Sequence, residues 1–153
     1  MLKQTFPIIA LILILSAVYL SNQRNLPVEE GTSCQFDGNM CNIRFKNLDH
    51  SVRIETFPPK VEEMTQLTLS QHESVTVESA WVEGVNMYMG KTHLPITHMT
   101  QTFSQSDMFL GACNEPEMTW RIVVNYSKST KGANNSTAAE PYTLFYYFTT
   151  RLY

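Results

Sequence analysis

Sulfur is the most chemically suggestive element of this 153-residue chain. The run Val85-Asn86-Met87-Tyr88-Met89-Gly90 is followed by His98-Met99, Met108, Cys113 and Met118. On a strand, Met87 and Met89 would project from one face two residues apart. Thioether sulfur is a soft donor that selects Cu(I) over harder ions. The competing reading is packing, because methionine is an adaptable filler and Met-x-Met on an inward strand face is most simply core. The sequence carries both readings. Gly90, directly after the pair, marks a bulge or a close backbone approach.

Other chemistry is poorly represented. The histidines His50, His72, His93 and His98 sit beside no nucleophile motif, and there is no Gly-x-Ser-x-Gly or Ser-x-x-Lys. Cys113 with a histidine would make a thiol nucleophile, but an oxidising compartment argues against one. His93 and His98 flank Pro95 without a Cys-x-x-Cys or His-Glu-x-x-His partner set, so they read as surface histidines rather than zinc ligands. Glu62-Glu63 and Glu115/Glu117 lie near prolines in expected loops, where carboxylates are solvated. The chain is expected not to be an enzyme.

The cysteines speak to compartment and topology. In Cys34-Gln-Phe-Asp-Gly-Asn-Met-Cys41, the central Asp37-Gly38 is a preferred two-residue hairpin turn. A hairpin about it would pair Phe36 with Asn39, Gln35 with Met40 and Cys34 with Cys41, bringing the two sulfurs within bonding distance. Pairing of Cys113 with either one stays open, since sequence alone does not fix connectivity.

These residues need a frame. A cationic tip (Lys3) leads into the apolar run Phe6–Leu20, about 22 Å of helix, shorter than a ~30 Å bilayer core. The small-residue pattern of a cleavage site is poor, so residues 1–24 read as an N-terminal hydrophobic helix acting as a signal anchor, with a cleaved signal peptide as the alternative. Lys3 favours a cytoplasmic N-terminus. Residues 25–32 form a polar linker and residues 33–153 one exported domain. The whole chain has 11 basic and 14 acidic residues. Lys3 and Arg24 belong to the leader, so the exported part is more acidic still, which argues against nucleic-acid binding.

Past the linker, short β-rich runs alternate with turn residues. Expected strands are 41–46, 51–56, 66–70, 74–82, 85–90, 97–103, 108–113, 118–126 and 142–150. Val75, Val77, Ser79 and Trp81 should share one face. Met118, Trp120, Ile122, Val124 and Tyr126 should share another, and Leu144, Tyr146 and Phe148 a third, with Phe145 and Tyr147 turned away. This period-two patterning predicts an all-β, antiparallel, immunoglobulin-like β-sandwich. Residues 127–139 read as a hairpin loop. Asn125, Asn134 and Asn135 lie in Asn-x-Ser/Thr sequons. The aromatic residues Tyr142, Phe145, Tyr147 and Tyr153 form a candidate docking edge for a protein partner.

The order of these pieces resembles a known family. It runs Cys34, Gly38 and Cys41, then Pro58-Pro59, then Gly84-x-Asn-Met-x-Met-Gly90. Leu110-Gly-Ala-Cys113, Met118-Thr-Trp120 and a closing aromatic strand follow. It is similar to the FixH/YtkA-like group of small membrane-anchored periplasmic proteins, across most of the exported part. The resemblance implies an immunoglobulin-like sandwich held at a bacterial inner membrane by a single pass, with its C-terminal domain in the periplasm. It further implies copper handling or assembly of a respiratory membrane complex as partner. Cys34–Cys41 would staple the first hairpin, and Met87, Met89, Cys113 and Met118 would converge as Cu(I) ligands. This sequence lacks a His-rich or Met-rich copper tail. The alternative is a metal-free structural or protein-binding module of the cell envelope.

Overall fold

The computed structural model describes residues 32–112, 114–131 and 137–151. The expected helix over 1–24, nearly all of the 25–32 linker, Cys113, Asn134, Asn135 and Tyr153 lie outside the described residues. Among the described residues, no helix is long and apolar enough to cross a membrane.

The described chain is all β, in ten strands. They are β1 (Ser33–Gln35), β2 (Met40–Phe45), β3 (Leu48–Ile54), β4 (Met64–Ser70), β5 (Val75–Gly84), β6 (Lys91–His93), β7 (Ile96–Met99), β8 (Phe103–Phe109), β9 (Glu117–Lys131) and β10 (Thr137–Arg151). One sheet has the order β1-β10-β9-β5-β6 and the other β2-β3-β4-β8-β7. Every pairing is antiparallel except that of β1 with β10.

The two sheets share one apolar interior. From the first come Val75, Val77, Ala80, Val82, Met118, Trp120, Ile122, Val124, Tyr126, Leu144, Tyr146 and Phe148. From the second come Cys41, Ile43, Val52, Ile54, Leu67, Leu69 and Met108. Alternation explains this selection, since every second side chain of a strand points to the same face. The expected faces of β9 and β10 are the buried ones.

Strand β5 departs from its expected face. Val75 and Val77 point inward, but the register against β9 shifts between Val77 and Ser79. The extra residue of this bulge inverts the alternation. Ala80 and Val82 therefore fill the core, and Trp81 turns to the outer face with Ser79. There Ser79 accepts a 2.9 Å hydrogen bond from Asn125 Nδ2, while Thr143 Oγ1 donates to Asn125 Oδ1 at 2.7 Å. The sequon asparagine Asn125 thus ties three strands together in mid-sheet.

The Cys34–Cys41 disulfide is present, with Cα atoms 6.1 Å apart, but the hairpin expected to form it is not. Strand β1 lies parallel to β10, Ser33 opposite Phe145 and Gln35 opposite Tyr147. Strand β2 pairs with β3 in the other sheet, Cys41 opposite Val52. The bond therefore joins the edges of two sheets. Phe36 explains the swap: its N–H donates to the Tyr147 carbonyl at 2.8 Å, and its ring packs edge-on against Phe148 at 6.2 Å.

Candidate functional site

The expected strand over 85–90 is a loop. Strand β5 ends at Gly84 and β6 begins at Lys91, so Met87 and Met89 do not share a strand face. The alternation of Val85, Met87 and Met89 mimics a strand, yet the residues between them do loop work. Val85 N–H donates to the Thr119 carbonyl at 2.9 Å. The Asn86 side chain then takes over from the ladder: Nδ2 donates to the Glu117 carbonyl at 3.0 Å, and Oδ1 accepts from Thr119 N–H at 2.9 Å. One carboxamide presents a donor and an acceptor with peptide-like spacing, so Asn86 stands in for a strand residue along β9. Gly90 closes the loop at φ +79°, a conformation that side-chain-bearing residues rarely adopt.

Gly84 is required for a different reason. A Cβ built there would lie 2.2 Å from the Met87 carbonyl oxygen and 2.3 Å from Met118 Cε. The backbone of the loop and the buried Met118 side chain thus close over the same hydrogen. Met118 is only 2 % exposed and comes up from the core, whereas Met87 is 40 % exposed on the solvent side. Met89 is half-buried, with Cε 3.8 Å from where a Cβ on Gly111 would stand. Gly111 lies two residues before Cys113.

The fold therefore brings the Met87–Met89 loop against Met118 and against the segment leading to Cys113. Cys113 itself lies outside the described residues. Since Cys34 and Cys41 are bonded to each other, the chain offers Cys113 no cysteine partner of its own. Met108, by contrast, is fully buried in the core, and Met99 is exposed on β7. His93 and His98 are both exposed, His98 lying against the Phe103 ring at 5.6 Å. No cluster of three or more His, Cys, Asp or Glu able to hold a metal occurs among the described residues.

The approach to the loop is braced on the outer face. Glu83 is 7 % exposed and accepts from Trp81 Nε1 at 3.0 Å and from Arg121 Nε at 3.0 Å. Lys91 stands 3.9 Å away and over the Trp81 ring at 4.6 Å. Burial opposes ionisation of Glu83, but the hydrogen bonds from Arg121 and Trp81 and the charges of Arg121 and Lys91 outweigh it. The carboxyl is held below its usual range. Both ends of the loop, Glu83 before Gly84 and Lys91 after Gly90, thereby meet in one ionic cluster.

Sequence reading marked the glycines and methionines but missed Asn86 and Glu83. The signals in the sequence are an asparagine two residues after a strand-ending glycine and a glutamate directly before that glycine. Asn86→Ala should leave Thr119 N–H and the Glu117 carbonyl without these bonds. The expected cost is about 1–2 kcal/mol for the two, read by urea unfolding, with faster amide exchange at Thr119. No family model, curated protein or solved structure matches this chain.

Proposed function

We propose that this protein is a non-catalytic, membrane-tethered β-sandwich of the bacterial periplasm that handles copper(I), in the service of a respiratory membrane complex. The fold reading within this proposal is immunoglobulin-like. The order β3-β4-β8-β7 over β10-β9-β5-β6 corresponds to that of an A-B-E-D sheet over a G-F-C-C′ sheet, with β1 and β2 as additional edges. The tether is the apolar run Phe6–Leu20, and the relationship offered is to the FixH/YtkA-like group.

The observation that carries the copper reading is the construction of the Gly84–Gly90 loop. Gly84, Asn86 and Gly90 each have a structural reason, and together they fix the backbone that bears Met87 and Met89. Met118 supports that backbone from below. Thioethers from Met87, Met89 and Met118 would hold Cu(I), and Cys113 would add a thiolate; the donor set is soft throughout. When bound, the ion supplies the protein's cargo or redox centre. The chain's own part is to keep the donors close and partly shielded from water.

A competition titration of the full-length protein with a Cu(I) chelator tests this. Stoichiometric binding is expected, weakened at least about a hundredfold in Met87→Ala/Met89→Ala, or about 3 kcal/mol. Wild-type protein that fails to compete at all would overturn the reading.

A second reading, a metal-free binding module, has its own observation. The outer face of the β10-β9-β5-β6 sheet sets Phe145, Val123, Trp81 and His93 in one cross-strand row. Tyr147, Arg121, Glu83 and Lys91 form the next row. Of the expected docking edge, Phe145 and Tyr147 lie here. Tyr142 instead packs against the core and bonds to His50, and β10 is flanked by β1 and β9 rather than lying at an edge.

A further inference from the structure

The edge of a β-sheet offers unpaired N–H and C=O groups, and proteins blunt such edges against unwanted pairing. Most edges of this sandwich are blunted. β1 and β6 have only three residues each. β7 has four, follows Pro95 and slips register against β8 between Ile96 and His98. β10 runs past β1, where Phe145 N–H and the Tyr147 carbonyl bond outward to Thr32 and Phe36. Pro141 falls on the same alternation and has no N–H to offer.

Strand β2 is the exception. It has six residues and an unbroken register with β3, from Met40↔Arg53 to Phe45↔Leu48. The Ile54 N–H donates to the Asn39 carbonyl at 2.9 Å, which sets the alternation of the ladder. Cys41, Ile43 and Phe45 therefore bond to β3, while Met40, Asn42 and Arg44 turn their N–H and C=O groups away from it. β2 is the last strand of its sheet, so these groups meet no strand on that side. All three residues are exposed. The strand is also held in place: Cys41 is bonded to Cys34, Ile43 is buried, and the Phe45 ring packs on Tyr142 at 5.2 Å. A pre-formed strand loses little freedom on pairing.

The three outward residues complement themselves. In an antiparallel pair about a two-fold axis at Asn42, that residue stands opposite Asn42 of a second copy, and Met40 opposite its Arg44. Each such pair exchanges two backbone hydrogen bonds. The Asn42 carboxamides carry both donors and acceptors and can bond each other. Met40 already has a guanidinium neighbour, its Sδ lying 3.9 Å from Arg53 Nη2. Arg44 brings its own counter-charge, Asp49 at 3.7 Å. Any other antiparallel register leaves at least one of the three residues without a match inside the strand. One centred on Arg44 would also oppose two guanidinium groups.

We propose that β2 pairs with β2 of a second copy of this chain, antiparallel about Asn42, joining two β2-β3-β4-β8-β7 sheets into one continuous sheet. The contact is isologous, the same patch serving both molecules. It is separate from the methionine loop and stands whether or not that loop binds copper.

The test is sedimentation velocity of the full-length protein in detergent over a range of concentrations. A monomer–dimer equilibrium is expected, with a dissociation constant on the order of 10–100 μM for so small a contact. Asn42→Pro removes an outward N–H that the fold does not use. Thermal unfolding should therefore change little, while the dissociation constant rises at least about tenfold. Asn42→Cys in a Cys113→Ser background supplies a second readout, which serves if Asn42→Pro fails to fold. It sets two thiols on a hydrogen-bonded pair whose Cα atoms stand about 5.5 Å apart, within disulfide reach. Oxidation should give a covalent dimer, whereas Arg44→Cys in the same background, roughly 14 Å from its counterpart, should not. A monomer at every concentration would overturn the proposal and leave the edge to another chain's strand. So would a dimer that Asn42→Pro leaves intact, or equal cross-linking of Asn42→Cys and Arg44→Cys.

Discussion

Gly84→Ala is expected to destabilise the domain by about 3 kcal/mol, as an overpacked site without room to relax. The added methyl would stand 2.2 Å from the Met87 carbonyl oxygen and 2.3 Å from Met118 Cε. The methionine methyl can swing aside, but the carbonyl belongs to a backbone fixed by Val85 and Asn86 on β9. Relief therefore means detaching the loop from the sheet. Thermal unfolding should fall on the order of 10 °C, and Cu(I) affinity should fall with it if the loop is the donor platform. Gly111→Ala is the matched control. Among the described residues its new methyl meets only Met89 Cε, at an ordinary 3.8 Å, so a change within about 0.5 kcal/mol is expected. Equal losses in the two variants would refute the close-approach argument.

The second large effect is acid sensitivity through His50. Burial is the leading cause that pushes its pKa from 6.5 down to about 4; Asp49 opposes the shift and His72 adds to it. A histidine with a depressed folded pKa is protonated first in the unfolded chain. Its contribution is therefore complete above pH 6.5 and is lost as the pH falls from 6.5 towards 4. The linked loss is about 3 kcal/mol. Urea unfolding across this window should show that slope in the wild type. His50→Phe keeps a ring against Tyr126 but carries no proton, and should flatten the slope. A His50→Phe profile that parallels the wild type would assign the acid sensitivity elsewhere.

The readable parts of the sequence were those in which local pattern and tertiary demand coincide. Strands β9 and β10 alternate cleanly, and their buried faces follow. In β5 the same pattern misled, because neither Val77 nor Ser79 is a residue type that announces a bulge, and one extra residue reversed every later side chain. The run 85–90 failed differently: its apolar alternation is real, but glycine at both ends and Asn86 between them make a loop that borrows the ladder of β9. Cys34 and Cys41 were paired rightly from the wrong geometry, since a local turn and a contact across two sheets leave the same spacing. His50 and Gln71, both buried, were overlooked although the pattern held a cue. His50-x-Val52-x-Ile54 and Leu67-x-Leu69-x-Gln71 each continue an inward apolar series with a polar residue.

The parallel pairing of β1 with β10 bears on how this domain would carry tension. Tension entering at Ser33 and leaving at Arg151 would draw two like-directed strands past each other along their length. The rungs, among them Phe36 N–H to the Tyr147 carbonyl and Phe145 N–H to the Thr32 carbonyl, would be strained together in shear rather than opened one after another. The Cys34–Cys41 bond hands part of that pull from β1 to β2, and so to the opposite sheet. A domain held by its N-terminal side would then meet mechanical force with both layers at once.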